Sequence, residues 1–373
     1  VDLLRDGLVS RALRVLVVDD SALVRRTVTR LLEEDPGLTV IGTASDGSEA
    51  LREVERLSPD IVTLDVAMPV MDGLTCLAEL VRRFRQRVVL LSTLALDGSF
   101  TTYKALALGA IDFVPKPGAD VGARSIEELG PELRRKVWAA AAVSSARVGT
   151  SSASSIGGSR VERVRTGGCR GEEAVLPPTL RRLIGVGSST GGTVALESIL
   201  RSLPSSLPAA VLAVQHMPTG FSSGFARYLD SVSLLRVKEG EEGEPVRAGQ
   251  AYIAPGGTHL RVQATTSGPV LRLDGVTPAD EGFRPSINAL LCSTAAAWRD
   301  RTVGVLLSGM GQDGVAGMAA VHKLGGRTLV QDEGSSVVYG MAERAVARGA
   351  VDSVVPLERL AGAVLRAATE VAA

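Results

Sequence analysis

The sequence predicts an α/β protein with two doubly wound parallel-sheet domains, the second carrying a β-hairpin insertion. Three observations carry this expectation. Continuous apolar runs rich in Val, Ile and Leu recur along the chain, as in strands buried on both faces. Stretches with helical apolar spacing separate many of these runs. Polar residues gather where the runs end, and open parallel sheets build their sites at the carboxyl ends of strands.

In the first third, residues 15–18 form an apolar run that ends in Asp19-Asp20. Ser21 then caps a helix whose apolar positions are Leu23, Val24, Val28, Leu31 and Leu32, stopped by Pro36-Gly37. Residues 38–44 read as a strand and 48–57 as a helix. Residues 61–64 form a third strand ending at Asp65, and 88–91 a fourth ending at Ser92-Thr93. Residues 110–114 form a fifth, followed by Pro115-Lys116-Pro117, and 126–143 a last helix interrupted by Gly130-Pro131. Asp19, Asp20 and Asp65 would converge on one rim. Carboxylates so close repel one another unless a hard divalent cation neutralises them, and Mg²⁺ suits oxygen ligands of this kind. Lys116 and the Ser92 hydroxyl share that rim and could hold the oxygens of an added phosphoryl group.

Composition changes at residues 144–173, where Ser, Gly, Thr and Arg dominate. Residues 144–178 therefore read as a flexible linker between domains at 12–143 and 179–373. Cys169 falls within it and is read as incidental.

The second half opens on Leu183-Ile184-Gly185-Val186-Gly187-Ser188-Ser189-Thr190-Gly191-Gly192. Residues 187–191 fit G-x-S-x-G, a serine exposed on a sharp strand-to-helix turn. A dinucleotide-binding turn and an inert strand–helix connection compete with that reading. The next strand, residues 209–214, ends in Gln215-His216-Met217-Pro218, which brings His216 beside Ser189 if the two strands are neighbours. A dinucleotide site would have an acidic residue there, so that alternative weakens. Residues 251–274 suggest short strands joined by turns, the hairpin insertion. Ser286 caps a helix running through Trp298, and the strand 303–307 leads into Ser308-Gly309-Met310-Gly311-Gln312-Asp313-Gly314.

Serine nucleophilic chemistry needs a base to take the hydroxyl proton and an acid to fix the base's tautomer. Ser189, His216 and Asp313 supply these types from three strand ends. The glycines at 309, 311 and 314 would leave N–H groups for a developing oxyanion. The chain order Ser, His, Asp differs from the Ser, acid, His order of α/β-hydrolases.

Composition excludes several other classes. With 41 basic and 41 acidic residues there is no global basic field, and 3% aromatic content leaves few stacking platforms, so no nucleic-acid partner is expected. Three scattered cysteines give neither a zinc site nor a disulfide framework. No apolar run reaches the roughly 18 residues of a membrane span, and the mixed charges of residues 1–6 do not form a secretory signal. A cytoplasmic protein without membrane insertion is the expectation.

The order Asp19-Asp20, Asp65, Ser92-Thr93, Lys116-Pro117 resembles the flavodoxin-like receiver domain of two-component response regulators. The resemblance implies Asp65 as phosphoacceptor, Asp19 and Asp20 with it as the Mg²⁺ site, Lys116 and Ser92 as supporting groups, and Phe113 as the aromatic switch position. From about residue 180 the chain resembles the Rossmann-like catalytic domain of CheB-type protein-glutamate methylesterases/deamidases. The matching segments are 187–192, 215–218, 253–256, 284–286, 308–314 and 338–341. This implies hydrolysis of γ-glutamyl methyl esters on methylated chemoreceptors, with glutamine deamidation as a second activity and a histidine kinase as phosphodonor. Ser189 would be the nucleophile, His216 the base and Asp313 its orienting acid, with Thr190, Met310 and Arg284 at the oxyanion or substrate site. The ester chemistry is expected to need no metal. Phe283 and Asn288 depart from the family pattern, and an Asn where an Asp is usual would remove a charge near the substrate cleft. The rival readings are a receiver-gated adaptor and a related hydrolase acting on a non-chemotaxis signalling protein.

Overall fold

A computed structural model describes residues 11–92, 96–116, 126–143, 148, 179–277 and 282–370. The linker expected at 144–178, with Cys169, lies largely outside these residues, as does Thr93. The chain divides into two compact units.

In the N-terminal unit, β1 (Leu13–Val18), β2 (Leu38–Ala44), β3 (Ile61–Asp65), β4 (Arg87–Ser92) and β5 (Asp112–Pro115) form one sheet in the order β2-β1-β3-β4-β5. Every pairing is parallel, the flavodoxin-like arrangement. Helices α1 (Ala22–Glu33), α2 (Gly47–Leu57), α3 (Gly73–Phe84), α4 (Leu96–Ala107) and α5 (Gly130–Ala141) connect or follow the strands. Val15, Leu16, Val17 and Val18 are fully buried, which explains why β1 lacks alternation. The start expected at Ser48 moves to Gly47 because the Asp46 carboxylate accepts the Ser48 and Glu49 N–H groups as the cap. Gly130-Pro131 starts α5 after a 3₁₀ turn at Ile126–Leu129, where the expectation was an interruption. Proline fits the first helical turn, where its missing N–H has no intrahelical partner to lose.

The C-terminal unit holds a seven-stranded sheet in the order β14-β13-β12-β6-β7-β9-β8, again parallel at every pairing. Its strands are β6 (Arg182–Ser188), β7 (Ala209–Gln215), β8 (Arg236–Glu239), β9 (Gln250–Ile253), β12 (Thr302–Leu306), β13 (Arg327–Gln331) and β14 (Ser353–Val355). The hairpin insertion is narrower than expected. Strands β10 (His259–Thr265) and β11 (Gly268–Asp274) pair antiparallel, with Pro245 bridging to Val270, while β9 joins the main sheet beside β7. The remaining helices along the chain are α6 (Gly192–Ser202), α7 (Ser222–Val232), α8 (Ile287–Trp298), α9 (Val315–Lys323), α10 (Gly340–Ala347) and α11 (Leu357–Thr369). Beyond residue 324, where no element is predicted, the chain forms β13, α10, β14 and α11.

From β6 the chain proceeds to β7 on one side and reaches β12 on the other, so the order reverses around β6. Such a switch point opens a crevice outside the strand ends. Helix α8 packs closely over this centre: a Cβ on Gly187 would come 2.2 Å from Ile287 Cγ2. This glycine therefore serves helix-on-sheet packing rather than a phosphate. Ile287, Leu290 and Leu291 join Leu183, Leu212, Val214, Leu306 and Met318 in one buried cluster.

Candidate active site

Strand β6 ends at Ser188, and Ser189 begins the turn into α6. The Ser189 N–H donates to Ser308 O at 3.0 Å, and Ser189 O accepts from Gly192 N at 2.8 Å. Gly191 holds φ +75, and a Cβ there would meet Val337 at 2.3 Å, so no other residue closes this elbow without strain. Next door, β7 runs parallel with Ser188 opposite Gln215, and His216 N donates to Ser188 O at 3.0 Å. The two strand ends are thus locked in register. Strand β12 brings Asp313 from the other side through the loop 307–314.

The three side chains meet. His216 Nδ1 lies 3.2 Å from Ser189 Oγ, and its Nε2 lies 2.8 Å from Asp313 Oδ2. Asp313 is 1% exposed, and three further donors converge on it: Ser286 Oγ (2.9 Å), Ile287 N (2.7 Å) and Asn288 N (2.9 Å). The last two open α8, so the carboxylate sits at the positive end of a helix dipole. Burial pushes Asp313 up, but the His216 contact and the Asn288 and Ile287 N–H groups outweigh it, and the carboxyl is held below its ordinary value. An ionised Asp313 only accepts, so Nε2 carries the proton. That leaves Nδ1 as acceptor for the Ser189 hydroxyl.

Two supports went unread in the sequence. The buried Gln215 amide donates to Ser189 O (2.9 Å) and His216 O (3.2 Å), while its Oε1 accepts from Ser188 Oγ (2.6 Å). Ser286, expected only as a helix cap, accepts from Ala289 N while donating to Asp313, and its own N–H donates to His259 Nδ1 at 3.1 Å. A buried Gln at a strand end was the one available signal for the first.

The glycine loop corrects an expectation. Gly309 N–H donates to Val338 O and Gly314 N–H to Asn288 Oδ1, so neither is available to an oxyanion. The N–H groups of Thr190 and Met310 make no hydrogen bond among the described residues, and Thr190 Oγ1 is buried without a partner. The Arg284 guanidinium, expected at the substrate site, donates to Gly275 O and Thr277 O and so fastens a loop. Asn288 has a structural role at this position. Its Oδ1 accepts from Gly314 N (2.9 Å) and Gly317 N (2.8 Å), capping α9. Asn288→Ala is therefore expected to cost about 1 kcal/mol of stability, whereas Asn288→Asp keeps the acceptor and the stability. Thermal or urea unfolding of the two variants checks this.

In the N-terminal unit, carboxylate oxygens of Asp19, Asp20 and Asp65 lie within 4.8 Å of one another. Lys116 Nζ stands 2.6 Å from Asp19 Oδ2 and 2.7 Å from Asp65 Oδ2. Asp19 Oδ2 is buried and, despite that ion pair, has no hydrogen bond of good geometry. Burial raises Asp65 above its ordinary value, with Lys116 opposing and Asp19 adding to the rise. A hard divalent cation fits this all-oxygen donor set and would relieve the crowding. Ser92 Oγ faces Thr102 Oγ1, while its carbonyl accepts from Lys116 N at 2.7 Å. Phe113, on β5, packs edge-on against Tyr103 with centroids 6.3 Å apart.

Fold and site together define a class: a response-regulator-type receiver joined in one chain to a parallel α/β domain with serine-hydrolase geometry at its switch point. Comparison with known proteins specifies it further. The family model for the response regulator receiver domain matches residues 15–123, and that for CheB methylesterase matches residues 184–364. A protein-glutamate methylesterase/protein-glutamine glutaminase of Symbiobacterium thermophilum is 44% identical over 97% of this chain and 99% of its own. A protein of the same name from Pyrococcus horikoshii is 40% identical over 96% of this chain and 95% of its own. The crystal structure of the Thermotoga maritima CheB methylesterase catalytic domain, 37% identical, covers 50% of this chain and 97% of that one with a TM-score of 0.49. The chain belongs to the protein-glutamate methylesterase/protein-glutamine glutaminase family.

Proposed function

We propose that this protein is a phosphorylation-activated protein-glutamate methylesterase, with glutamine deamidation as a second activity, acting on methylated chemoreceptors. The observation that supports this most is the hydrogen-bonded path from Ser189 through His216 to Asp313. In the reaction, Ser189 Oγ attacks the ester carbonyl carbon as His216 Nδ1 takes its proton. Asp313 holds the resulting imidazolium through Nε2–H, and the Thr190 and Met310 N–H groups are assigned to the developing oxyanion. Collapse breaks the bond to the methoxy oxygen, which leaves as methanol with the proton from His216. A water molecule, deprotonated in turn by His216, then releases the glutamate carboxylate and restores Ser189.

In this reading residues 12–143 form the receiver, 144–178 the linker and 179–373 the catalytic domain. Asp65 accepts a phosphoryl group that originates on a histidine kinase. Mg²⁺, held by Asp19, Asp20 and Asp65, would neutralise the charge on the phosphoryl oxygens. Lys116 gives up one of its two carboxylate partners to bind them, and Ser92 answers with its hydroxyl. No described helix is long and apolar enough to cross a membrane, and the reading locates the enzyme in the cytoplasm. The adaptor alternative loses the support of Asn288, whose side chain is occupied in capping α9.

The test is methanol release from methylated receptor with and without a small-molecule phosphodonor and Mg²⁺. Acceleration by the phosphodonor is expected in the wild-type chain and its loss in Asp65→Asn. Equal acceleration in that variant would overturn the assignment of Asp65, and no methanol release under any condition would overturn the substrate.

A further inference from the structure

The Phe283 ring lies parallel to the His216 imidazole, with centroids 4.2 Å apart and planes 8° from parallel. The His216 side chain is 5% exposed, so the ring that must move a proton is almost closed off from water. The hydrogen bonds to Ser189 and Asp313 engage atoms at two edges of the imidazole. Bonds in a ring's plane resist rotation within it better than tilt out of it. A flat apolar face supplies that second restraint, and it offers no donor or acceptor to compete for Nδ1 or Nε2.

The backbone around Phe283 is tied down on its C-terminal side. Arg284 O accepts from Gly257 N at 3.2 Å, and the Arg284 guanidinium is fixed to Gly275 and Thr277 carbonyls. Pro285 is buried, and Ser286, Ile287 and Asn288 all donate to Asp313. One short segment therefore meets the face of the base and grips the acid that orients it. When Ser189 gives up its proton the imidazole becomes a cation, and an aromatic face beside it attracts that charge.

We infer that Phe283 is a positioning residue for His216, holding the imidazole at the tilt needed for proton transfer from Ser189 and favouring the imidazolium that forms. The inference rests on the function proposed above, and the test separates the two. The full chain is treated with phenylmethanesulfonyl fluoride, whose reaction needs no receptor contacts: Ser189 Oγ bonds to sulfur, fluoride leaves, and His216 takes the hydroxyl proton. Phe283→Leu and Phe283→Met, which keep an apolar side chain without a ring face, are expected to react about 2- to 30-fold more slowly than wild type. Phe283→Tyr, which keeps the face, is expected to react at close to the wild-type rate. On methylated receptor, kcat should fall in the Leu and Met variants with KM unchanged, at an unaltered thermal midpoint. Wild-type rates in both variants would overturn the role of Phe283 while leaving Ser189 as nucleophile. A wild-type chain no more reactive than Ser189→Ala would overturn both readings.

Discussion

Ser189→Ala is expected to lower kcat for methyl-ester hydrolysis by about 10⁶-fold, to the residual level that substrate and oxyanion binding alone provide. The proposed reaction begins with Oγ, and no other hydroxyl is hydrogen-bonded to the His216 ring among the described residues. The fold should be indifferent to the change. Ser189 holds the elbow through its backbone N–H to Ser308 and its carbonyl to Gly192, both of which alanine retains. Methanol release measured beside thermal unfolding checks both halves: activity falls to background while the midpoint stays at the wild-type value. Retention of more than a few per cent of the rate would remove Ser189 from the mechanism.

Asp313→Asn is expected to lower kcat by about 10⁴-fold and, unlike Ser189→Ala, to destabilise the protein as well. Four donors converge on the two carboxylate oxygens: His216 Nε2, Ser286 Oγ, Ile287 N and Asn288 N. An amide has only one oxygen. If its NH₂ faces His216, Nε2 must become an acceptor, and the proton moves to Nδ1, where the Ser189 hydroxyl needs a base. If its NH₂ faces the start of α8, it opposes N–H groups that then lose their acceptor in a buried site. Stranding a buried donor costs about 1–3 kcal/mol. The pH dependence has a definite sign. The folded-state carboxyl is depressed below its ordinary 3.8, so its stabilisation is complete above that value and lost as pH falls through the folded value. The stability gap between wild type and Asp313→Asn should be full at neutral pH and close only below about pH 4. Urea unfolding across pH measures the gap; one that persists unchanged into strong acid would assign it to something other than the charge.

Much of this site was legible in the sequence because parallel sheets leave their chemistry at strand ends. The runs ending at Ser188 and Gln215, and the run leading to Asp313, are apolar without alternation, so the elements were readable, and neighbouring parallel strands share a rim. What was not legible depends on contacts between residues distant in sequence. Ser286 and Asp313 are far apart along the chain, and only the packing of α8 over β6 reveals that one hydroxyl both caps a helix and holds the acid. The glycines after β12 were legible as a tight loop, but Gly309 and Gly314 have their N–H groups committed to Val338 and Asn288, partners no local pattern announces. Gly187 matched a turn motif, yet the nearness of Ile287 explains it better. Asn288 and Phe283 stood out as departures from a family pattern; their meaning lay in a helix start and a ring face.

The closeness of α8 to the sheet ties the durability of the site to that of the domain. Asp313 is gripped by the first residues of a helix whose next apolar positions are in the central core. Loosening the acid means breaking its bonds to the first turn of a helix that Ile287 anchors in the buried cluster. Local opening at the site therefore carries a free energy close to that of opening the core itself. Amides at the start of α8 should then exchange with solvent as slowly as those of β6 and β12, and the rim that carries Asp313 belongs to the slowest-opening part of its domain.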